Sequence, residues 1–213
     1  DLQEPLRAVV GFLQLLESRY THLLDEKGVH YIERAINAGR RMQGLINDLL
    51  RLSRVNTQDL VLKPTDLHRV VTRISETLTS GFQEKKIQVT VRDLPEVIVD
   101  RTQITSLFQN LMTNAVKYNQ HHTVVIEIGC HETTDEYCFF VKDNGIGIAP
   151  QFHERIFMIF QRLHTRQEYS GTGIGLALCK KIIDRHNGKL WLESAQDEGA
   201  AFFFSLPKQR KIT

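Results

Sequence analysis

The chain has 213 residues, 41% of them hydrophobic and 24% charged, so it can bury a core in one large domain or two modest ones. Its 27 basic and 25 acidic residues give a net charge of +2, which argues against binding nucleic acid or membranes by bulk electrostatics. No apolar run approaches the roughly 18 residues of a membrane span, and no secretory signal is visible. The three scattered cysteines, Cys130, Cys138 and Cys179, are predicted to be reduced, as expected for a cytoplasmic protein.

Two amphipathic helices are predicted at the start of the chain, the second over residues 29–55. Apolar residues of the first recur at spacings of four and three: Leu2, Leu6, Val9, Leu13, Leu16, Tyr20 and Leu23. The second helix carries a similar seam with an apolar stripe beside it: Ala35, Ala38, Met42, Leu45, Leu49 and Leu52, with Ile32, Ile36, Ile46 and Leu50. The polar stretch 25–28 is predicted to form the turn between the helices.

Two apolar stripes on one helix cannot both be covered by a single partner helix. Pairing two helical hairpins into a four-helix bundle buries both stripes. We therefore predict that residues 1–57 form a dimerisation domain through which the chain is a homodimer. The remaining residues, 58–213, are predicted to form the second domain.

From about residue 60 the pattern changes to an irregular mixture of helices and strands. Helices are predicted at 66–84, 100–119 and 174–186, with Asp66 and Asp100 as N-caps. Strands are predicted at 87–91, 124–128, 137–141, 189–193 and 201–206. Without regular β-α-β alternation, this order predicts an α+β fold with helices on one face of a mixed sheet.

One face of the predicted helix 100–119 carries polar groups. Asn110, Asn114 and Lys117 are four and three residues apart, so they share a face, with Tyr118 on its flank. An amide oxygen suits Mg²⁺, and an ammonium group can neutralise phosphate charge. A solvated helix face is the alternative interpretation when this motif stands alone.

A second motif, Asp143-Asn-Gly145-Ile-Gly147, directly follows an apolar strand. A carboxylate at a strand end can accept a hydrogen bond from an exocyclic amine such as that of adenine. The two glycines let a flat ring approach the backbone closely. An ordinary turn is the alternative interpretation.

The third motif is glycine-rich and leads into an apolar helix: Gly171, Thr172, Gly173, Ile174, Gly175 and Leu176. Glycines before a helix N-terminus expose backbone N–H groups to a phosphate, and the helix dipole adds to the attraction. The spacing fits neither a dinucleotide fingerprint nor a P-loop. One glycine run is weak evidence, whereas the three motifs in this order predict a nucleotide site.

Residues 155–170 lie between the second and third motifs. Phe157 and Phe160 are interpreted as core residues rather than as rings that stack on a ligand. The polar stretch that follows, 164–170, has no apolar anchor except Tyr169. We therefore predict that it forms a mobile lid over the nucleotide.

The motifs, in this order, resemble those of the ATP-binding domain of sensor histidine kinases. That domain belongs to the GHKL superfamily, so the resemblance implies a Bergerat-type α/β sandwich with a lid over ATP. The opening Asp1-Leu-Gln-Glu-Pro-Leu-Arg resembles the H-box of the dimerisation hairpin without its first residue. The Gln-Glu-Pro of this box and the segment 160–166, Phe-Gln-Arg-Leu-His-Thr-Arg, are most similar to the output module of cyanobacterial phytochrome-like kinases.

The resemblance implies a role for each motif. Asn114 would bind Mg²⁺, Asn110 and Lys117 would contact the phosphates of ATP, and Tyr118 would pack on the adenine. Asp143 would accept a hydrogen bond from the adenine amine, with Gly145 and Gly147 beside the ring. The glycine-rich motif would close over the phosphates: Gly171, Thr172, Gly173, Gly175 and Leu176. Asp1 would assist as the general base.

Two positions depart from the family pattern. The phosphoacceptor histidine is expected immediately before Asp1, and a form without it would not autophosphorylate. His22 and His30 are no substitutes, because neither is followed by an acidic residue and then, four positions on, by a proline. Glu4 stands where many members carry Thr or Asn to orient a water molecule, and its carboxylate would repel an aspartyl phosphate. Phosphatase activity is therefore not expected.

The resemblance implies that the γ-phosphoryl group of ATP passes to a histidine and then to an aspartate of a response regulator. A GHKL ATPase of the topoisomerase, mismatch-repair or chaperone kind is an alternative, although the Pro5 segment and the hairpin have no place in it. A degenerate kinase that serves as a dimeric docking scaffold is a non-enzymatic alternative.

Overall fold

The computed structural model describes residues 3–82, 85–163, 169 and 171–208. Its N-terminal part is a hairpin of α1 (Gln3–Tyr20) and α2 (Glu26–Thr57), joined through a 3-10 turn at Thr21–Leu23. Val10, the buried residue of α1, packs against Gly39 of α2, where the missing side chain leaves room for it. The two predicted N-terminal helices are thus confirmed.

The second helix begins earlier than the sequence pattern predicts, so the predicted turn at 25–28 is wrong. Asp25 is the N-cap of α2, and its carboxylate accepts a hydrogen bond of 2.8 Å from the backbone N–H of Gly28. Glu26 adds a negative charge in the first turn, where the helix dipole favours it. This capping stabilises helix through Gly28, and the turn lies at Thr21–Leu23 instead.

Within the described ranges, seven strands follow the hairpin and form two sheets. The smaller sheet pairs β1 (Leu62–Asp66) with β3 (Glu96–Asp100) in antiparallel fashion. The larger sheet has the order β2-β4-β5-β7-β6, in which β2 and β4 are parallel and the other neighbours antiparallel. Its strands are β2 (Lys86–Val91), β4 (Thr123–Glu132), β5 (Glu136–Asp143), β6 (Leu190–Ser194) and β7 (Ala200–Pro207).

Three helices cover one face of the larger sheet: α3 (Leu67–Gly81), α4 (Arg101–Lys117) and α5 (Gly175–Arg185). The core between them is rich in aromatic rings, and Phe204 contacts both Phe108 and Phe139 at ring-centroid distances of 5.4 and 5.0 Å. All three rings are fully buried. The predicted α+β class, with helices on one face of a mixed sheet, is confirmed.

Two of the predicted helices begin as the sequence indicates, because Asp66 and Asp100 cap them. Asp66 accepts a hydrogen bond from the N–H of Arg69, and Asp100 accepts bonds from Thr102 and Gln103. The first of these helices ends at Gly81, and its predicted end near residue 84 lies outside the described residues. Within the described ranges, no helix combines the length and apolar content that a bilayer span requires.

Strands β1 and β3 were not predicted from the sequence. In β1 four of the five residues are exposed, and it contains Pro64, so it lacks the alternation that marks a strand. It adopts the extended conformation because it pairs with β3, residue for residue from Leu62 with Asp100 to Asp66 with Glu96. This pairing positions Asp100, and therefore the start of α4.

Candidate functional site

Helix α4 carries the asparagine motif on its half-buried side. Its opposite side fills the core, with Ile104, Leu107, Phe108, Leu111 and Met112 fully buried. This amphipathic division leaves Asn110, Asn114 and Lys117 at the margin between core and solvent.

The three polar side chains differ in their hydrogen-bond partners. The Asn110 carboxamide donates a hydrogen bond of 2.9 Å to the carbonyl of Ser106 one turn earlier. The Lys117 ammonium donates to the Tyr118 hydroxyl at 2.9 Å and lies 4.4 Å from the centre of its ring. Among the described residues, nothing forms a hydrogen bond with the Asn114 carboxamide, which leaves its oxygen available to a cation.

The turn after β5 is held against the end of α4. The N–H of Ile146 donates to the carbonyl of Tyr118 at 3.0 Å. Asn144 accepts hydrogen bonds from the Asn119 side chain at 2.7 Å and from the N–H of Val125 at 2.8 Å. Asn119 and Asn144 therefore fix the geometry between the first and second motifs, a structural role that the sequence analysis missed.

Asp143 ends β5 with its carboxylate facing the pocket. One oxygen, Oδ1, accepts hydrogen bonds from the N–H groups of Gly145 at 2.8 Å and Ala200 at 3.3 Å. Burial raises the pKa of Asp143 to about 6, and the two N–H donors oppose this shift. No described residue donates to the second oxygen, Oδ2, which is left to accept a hydrogen bond from a ligand.

The glycine-rich motif lies directly beside the polar face of α4. A Cβ atom at Gly171 would lie 2.5 Å from the Lys117 ammonium, and one at Gly175 would lie 2.9 Å from the Asn110 side-chain oxygen. Gly173 has a φ of +76°, which L-residues rarely adopt, and its carbonyl accepts from the N–H of Phe160. The second and third motifs are thus both adjacent to α4.

A pocket lies where these elements meet. Five of the predicted site residues line it: Asn114, Tyr118, Asp143, Gly147 and Leu176. The other lining residues were not singled out from the sequence: Ile146, Ile148, Ile156, Gln161, Arg162, Leu163, Ala200 and Phe202. Ala200 and Phe202 come from the distant strand β7, and no local motif marks them.

The remaining predicted residues surround this pocket rather than line it. Lys117 and Asn110 approach the glycine-rich motif, and Gly145 lies against Asp143 and the Tyr118 carbonyl. Thr172 does not line the pocket, and its hydroxyl donates a hydrogen bond of 2.6 Å to Asp48 of α2. Asp1 lies outside the described residues, so its predicted role as general base has no structural description.

The segment between the second and third motifs differs in part from the prediction. Phe157 packs against the core as expected, but Phe160 is 59% exposed, so its interpretation as a core residue is wrong. Phe160 has a φ of +64°, and this bend turns its ring to solvent. The predicted lid lies mostly outside the described residues, although the Tyr169 ring is described and lies 5.0 Å from that of Tyr118.

The pocket is narrow in this conformation. It encloses about 90 Å³, whereas small-molecule sites typically measure roughly 300–1,000 Å³. The segment 161–163 forms one wall, and the Arg162 guanidinium is held by the carbonyls of Gly171 and Tyr169. A larger cleft of about 1,170 Å³ lies between the end of α2, β1, α3 and α4, but no predicted site residue lines it.

The chain matches known families along most of its length. Residues 99–210 match the family of histidine kinase-, DNA gyrase B- and HSP90-like ATPases, and residues 1–58 match the His Kinase A (phospho-acceptor) domain. Over 207 residues the chain is 46% identical to phytochrome-like protein Cph1 of Synechocystis sp.. That alignment covers 97% of this chain and 28% of Cph1, so the chain spans little more than a quarter of that relative.

Solved structures share the fold. Full-length ShkA in complex with AMPPNP has a TM-score of 0.74 at 24% identity, over 98% of this chain and 44% of ShkA. The histidine kinase ThkA, in complex with the response regulator protein TrrA, has a TM-score of 0.67 at 22% identity, over 100% of this chain and 61% of ThkA. The chain therefore belongs to the family of histidine kinase-, DNA gyrase B- and HSP90-like ATPases and, through its His Kinase A hairpin, to the histidine kinases within it.

Proposed function

We propose that this chain is the core of a sensor histidine kinase in which residues 58–213 bind Mg·ATP. The hairpin, residues 1–57, would present a histidine expected just before Asp1 to the γ-phosphoryl group. The supporting observation is that Asn114, Tyr118, Asp143 and Gly147 converge on one pocket beside the glycine-rich motif. The family match to histidine kinases and the AMPPNP complex of ShkA agree with this proposal.

The walls of the pocket suit an adenine ring. Apolar side chains provide flat, dry surfaces for the base: Ile146, Ile148, Ile156, Leu176 and Phe202. The Oδ2 atom of Asp143 would accept a hydrogen bond from the adenine amine. Guanine carries a carbonyl oxygen at the corresponding position, which a carboxylate repels, so this contact selects adenine.

The polar face of α4 would bind the phosphates. Lys117 already lies beside Gly171, and its ammonium would exchange the Tyr118 hydroxyl for phosphate oxygens. The amide oxygen of Asn114 fits Mg²⁺, which prefers oxygen ligands. No group of three or more His, Cys, Asp or Glu side chains within the described ranges could hold a metal ion, so the phosphates would supply other Mg²⁺ ligands. When bound, Mg²⁺ neutralises charge on the transferred group.

The pocket must widen before ATP enters, since its present volume is smaller than a nucleotide site requires. Segment 161–163 forms one wall of the pocket and belongs to neither a helix nor a strand. We infer that this segment, with the Arg162 contacts to the carbonyls of Tyr169 and Gly171, rearranges as the nucleotide binds.

Two partners follow from the proposed reaction. The first is a second copy of the chain, because the hairpin exposes large apolar side chains such as Phe12 and Leu16. The second is a response regulator with a receiver aspartate, by analogy with the ThkA complex that contains TrrA. The hairpin would supply both interfaces.

Replacement of Asn114 tests the proposal. Asn114→Ala should weaken Mg-dependent ATP binding by more than tenfold, about 1.4 kcal/mol, measured by titration calorimetry. Gln109→Ala is the matched control, because Gln109 is an exposed polar residue of the same helix outside this pocket. Unchanged Mg·ATP affinity in Asn114→Ala would refute the site assignment.

The chemistry is tested in a chain that carries a histidine directly before Asp1. Incubation with γ-labelled ATP should transfer acid-labile, base-stable label to the protein, as a phosphohistidine requires. Steady phosphate release without labelled protein would instead favour the simple ATPase, and nucleotide binding with neither product would favour the docking scaffold.

A further inference from the structure

A polar contact joins the glycine-rich motif to the hairpin. The Thr172 hydroxyl donates a hydrogen bond of 2.6 Å to the Asp48 carboxylate, across 124 residues of sequence. One helical turn before Asp48, α2 carries Gly44, and a Cβ atom there would lie 3.7 Å from the Thr172 methyl group. The loop therefore lies close to α2 at Gly44 and is joined to it by a charge-assisted hydrogen bond at Asp48.

The contact between Thr172 and Asp48 lies at the end of the hairpin where α1 begins. The side chain of Asn47, next to Asp48, accepts a hydrogen bond of 2.6 Å from Gln3 at the start of α1. Gln3 is three positions after the point where the phosphoacceptor is expected. The glycine-rich motif thus contacts its own hairpin near the start of α1.

A second set of contacts joins the end of α5 to the end of α2. Arg185, the last residue of α5, donates hydrogen bonds to the carbonyls of Val55 and Gln58 at the end of α2. Leu45 and Leu52 of the same helix pack against the hydrophobic core of residues 58–213. Because residue 48 contacts 172 and residue 55 contacts 185, α2 and α5 run in the same direction.

The hydrogen bond between Thr172 and Asp48 competes with the proposed binding of ATP phosphates to the glycine-rich motif. A Thr hydroxyl has one proton to donate, so Thr172 cannot serve Asp48 and a phosphate oxygen together. A triphosphate at this loop would also bring several negative charges to within a Debye length, about 8–10 Å, of the Asp48 carboxylate. Phosphates and the Asp48 bond therefore compete for the loop.

We propose that Asp48 is a latch that holds the glycine-rich motif on α2 when the pocket is empty and releases it when ATP binds. The proposal rests on the proposed function, because it needs the phosphates to lie at this motif. Coupling of this kind is reciprocal. The Asp48 bond lowers the affinity for ATP by the same factor by which bound ATP lowers the equilibrium constant for docking of the glycine-rich motif on α2. A shift of α2 caused by an input signal would then change nucleotide affinity.

Two substitutions of Asp48 test the latch by titration calorimetry with Mg·ATP. Asp48→Ala removes the charge and the acceptor and should bind Mg·ATP about three- to tenfold more tightly than the wild type. Asp48→Asn keeps an acceptor for Thr172 without the charge and should give a smaller gain. Glu33→Ala, which removes an exposed acid of the same helix, is the control and should leave the affinity unchanged.

The outcomes distinguish failure of the Asp48 latch from failure of the proposed Mg·ATP site. Wild-type affinity in Asp48→Ala, together with lost binding in Asn114→Ala, overturns the latch and leaves the nucleotide site standing. Absence of Mg·ATP binding in the wild type overturns both.

A reversible cross-link tests the docked state directly. Cysteines introduced by Asp48→Cys and Thr172→Cys should form a disulfide within one chain, because the native side chains are in hydrogen-bond contact. The oxidised protein should bind Mg·ATP at least tenfold more weakly than its own reduced form. Equal affinity in the two forms, a disulfide between chains, or no disulfide at all would each overturn the latch.

Discussion

Ionisation of the Asp143 carboxyl group has opposite effects on the stability of the protein and on the proposed binding of ATP. Its pKa is raised from 3.8 to about 6 by burial, so the native chain holds this proton more tightly than the unfolded chain. As the pH rises from about 4 to about 6, the free energy of unfolding therefore falls, and above pH 6 the full cost of the buried charge is present. The same ionised carboxylate would be the acceptor for the adenine amine.

We expect Asp143→Asn to stabilise the protein and to weaken ATP binding. An Asn oxygen can still accept the Gly145 and Ala200 bonds, while the buried charge disappears, so the free energy of unfolding at pH 7.5 should rise by about 1–3 kcal/mol. The Asn amide would then present N–H donors to the adenine amine, which is itself a donor. Urea unfolding at pH 5 and pH 7.5 and Mg·ATP titration measure both effects. A destabilised variant at pH 7.5, or unchanged ATP affinity, would contradict this account.

Sequence alone predicted the motif residues that line the pocket but missed most of its apolar walls. Asn114 and Asp143 belong to short motifs whose chemistry is visible locally, and the structure brings both to one pocket. Phe202 reaches the same pocket from β7, which becomes a neighbour of β5 only through sheet pairing. Phe160 was misinterpreted because hydrophobicity predicts burial, whereas its positive φ turns the ring outward.

Elements were predictable where periodicity or a capping residue marks them. Helix α4 follows Asp100, and its apolar residues recur at helical spacing, so both its start and its buried face were predicted. Strand β1 has no such signal, because its extended form depends on pairing with β3. The start of α2 was misplaced because Gly28 was interpreted as a turn residue, although the Asp25 cap outweighs its low helix propensity.

The α1–α2 hairpin depends on close packing at Gly39. A Cβ atom there would overlap the Val10 side chain, although alanine is otherwise the better helix former. We expect Gly39→Ala to lower the free energy of unfolding of the full chain by about 1–3 kcal/mol through overpacking. Gly81→Ala is the control, because a Cβ atom there would meet no described residue within 4 Å, and it should be neutral or stabilising by up to about 1 kcal/mol. Urea unfolding followed by circular dichroism compares them, and equal stability of the two variants would contradict the packing argument.

At the scale of the whole molecule, no sequence signal indicates the contact between the hairpin and residues 58–213. Asp48 and Thr172 are ordinary polar residues 124 positions apart, and neither belongs to a periodic pattern that points to the other. Arg185 likewise contacts carbonyls of α2, which any sequence could provide. Contacts between elements far apart in the sequence depend on the shapes of both surfaces, so they emerge only in three dimensions.

The exposed apolar surface of the hairpin, in contrast, is predicted in part: Leu16 belongs to the predicted seam of α1, whereas Phe12 does not. Phe12 is 68% exposed and Leu16, one turn later, is 45% exposed in the single chain. Full burial of one apolar side chain of this size contributes about 1.5–3 kcal/mol of free energy, which favours pairing with a second hairpin. We therefore expect the protein to have twice the chain mass of 24.6 kDa in solution.

The double variant Phe12→Glu and Leu16→Glu should shift this dimer to the monomer, because the four-helix bundle would bury two unpaired carboxylates in each chain. Val125→Glu is the control, since Val125 is a similarly exposed apolar residue on the sheet of the catalytic part. Light scattering measures the mass, and Mg·ATP affinity should stay unchanged in both variants because neither site lies at the pocket. A wild-type mass of one chain, or a double variant that remains dimeric, would place the dimer interface elsewhere or remove it.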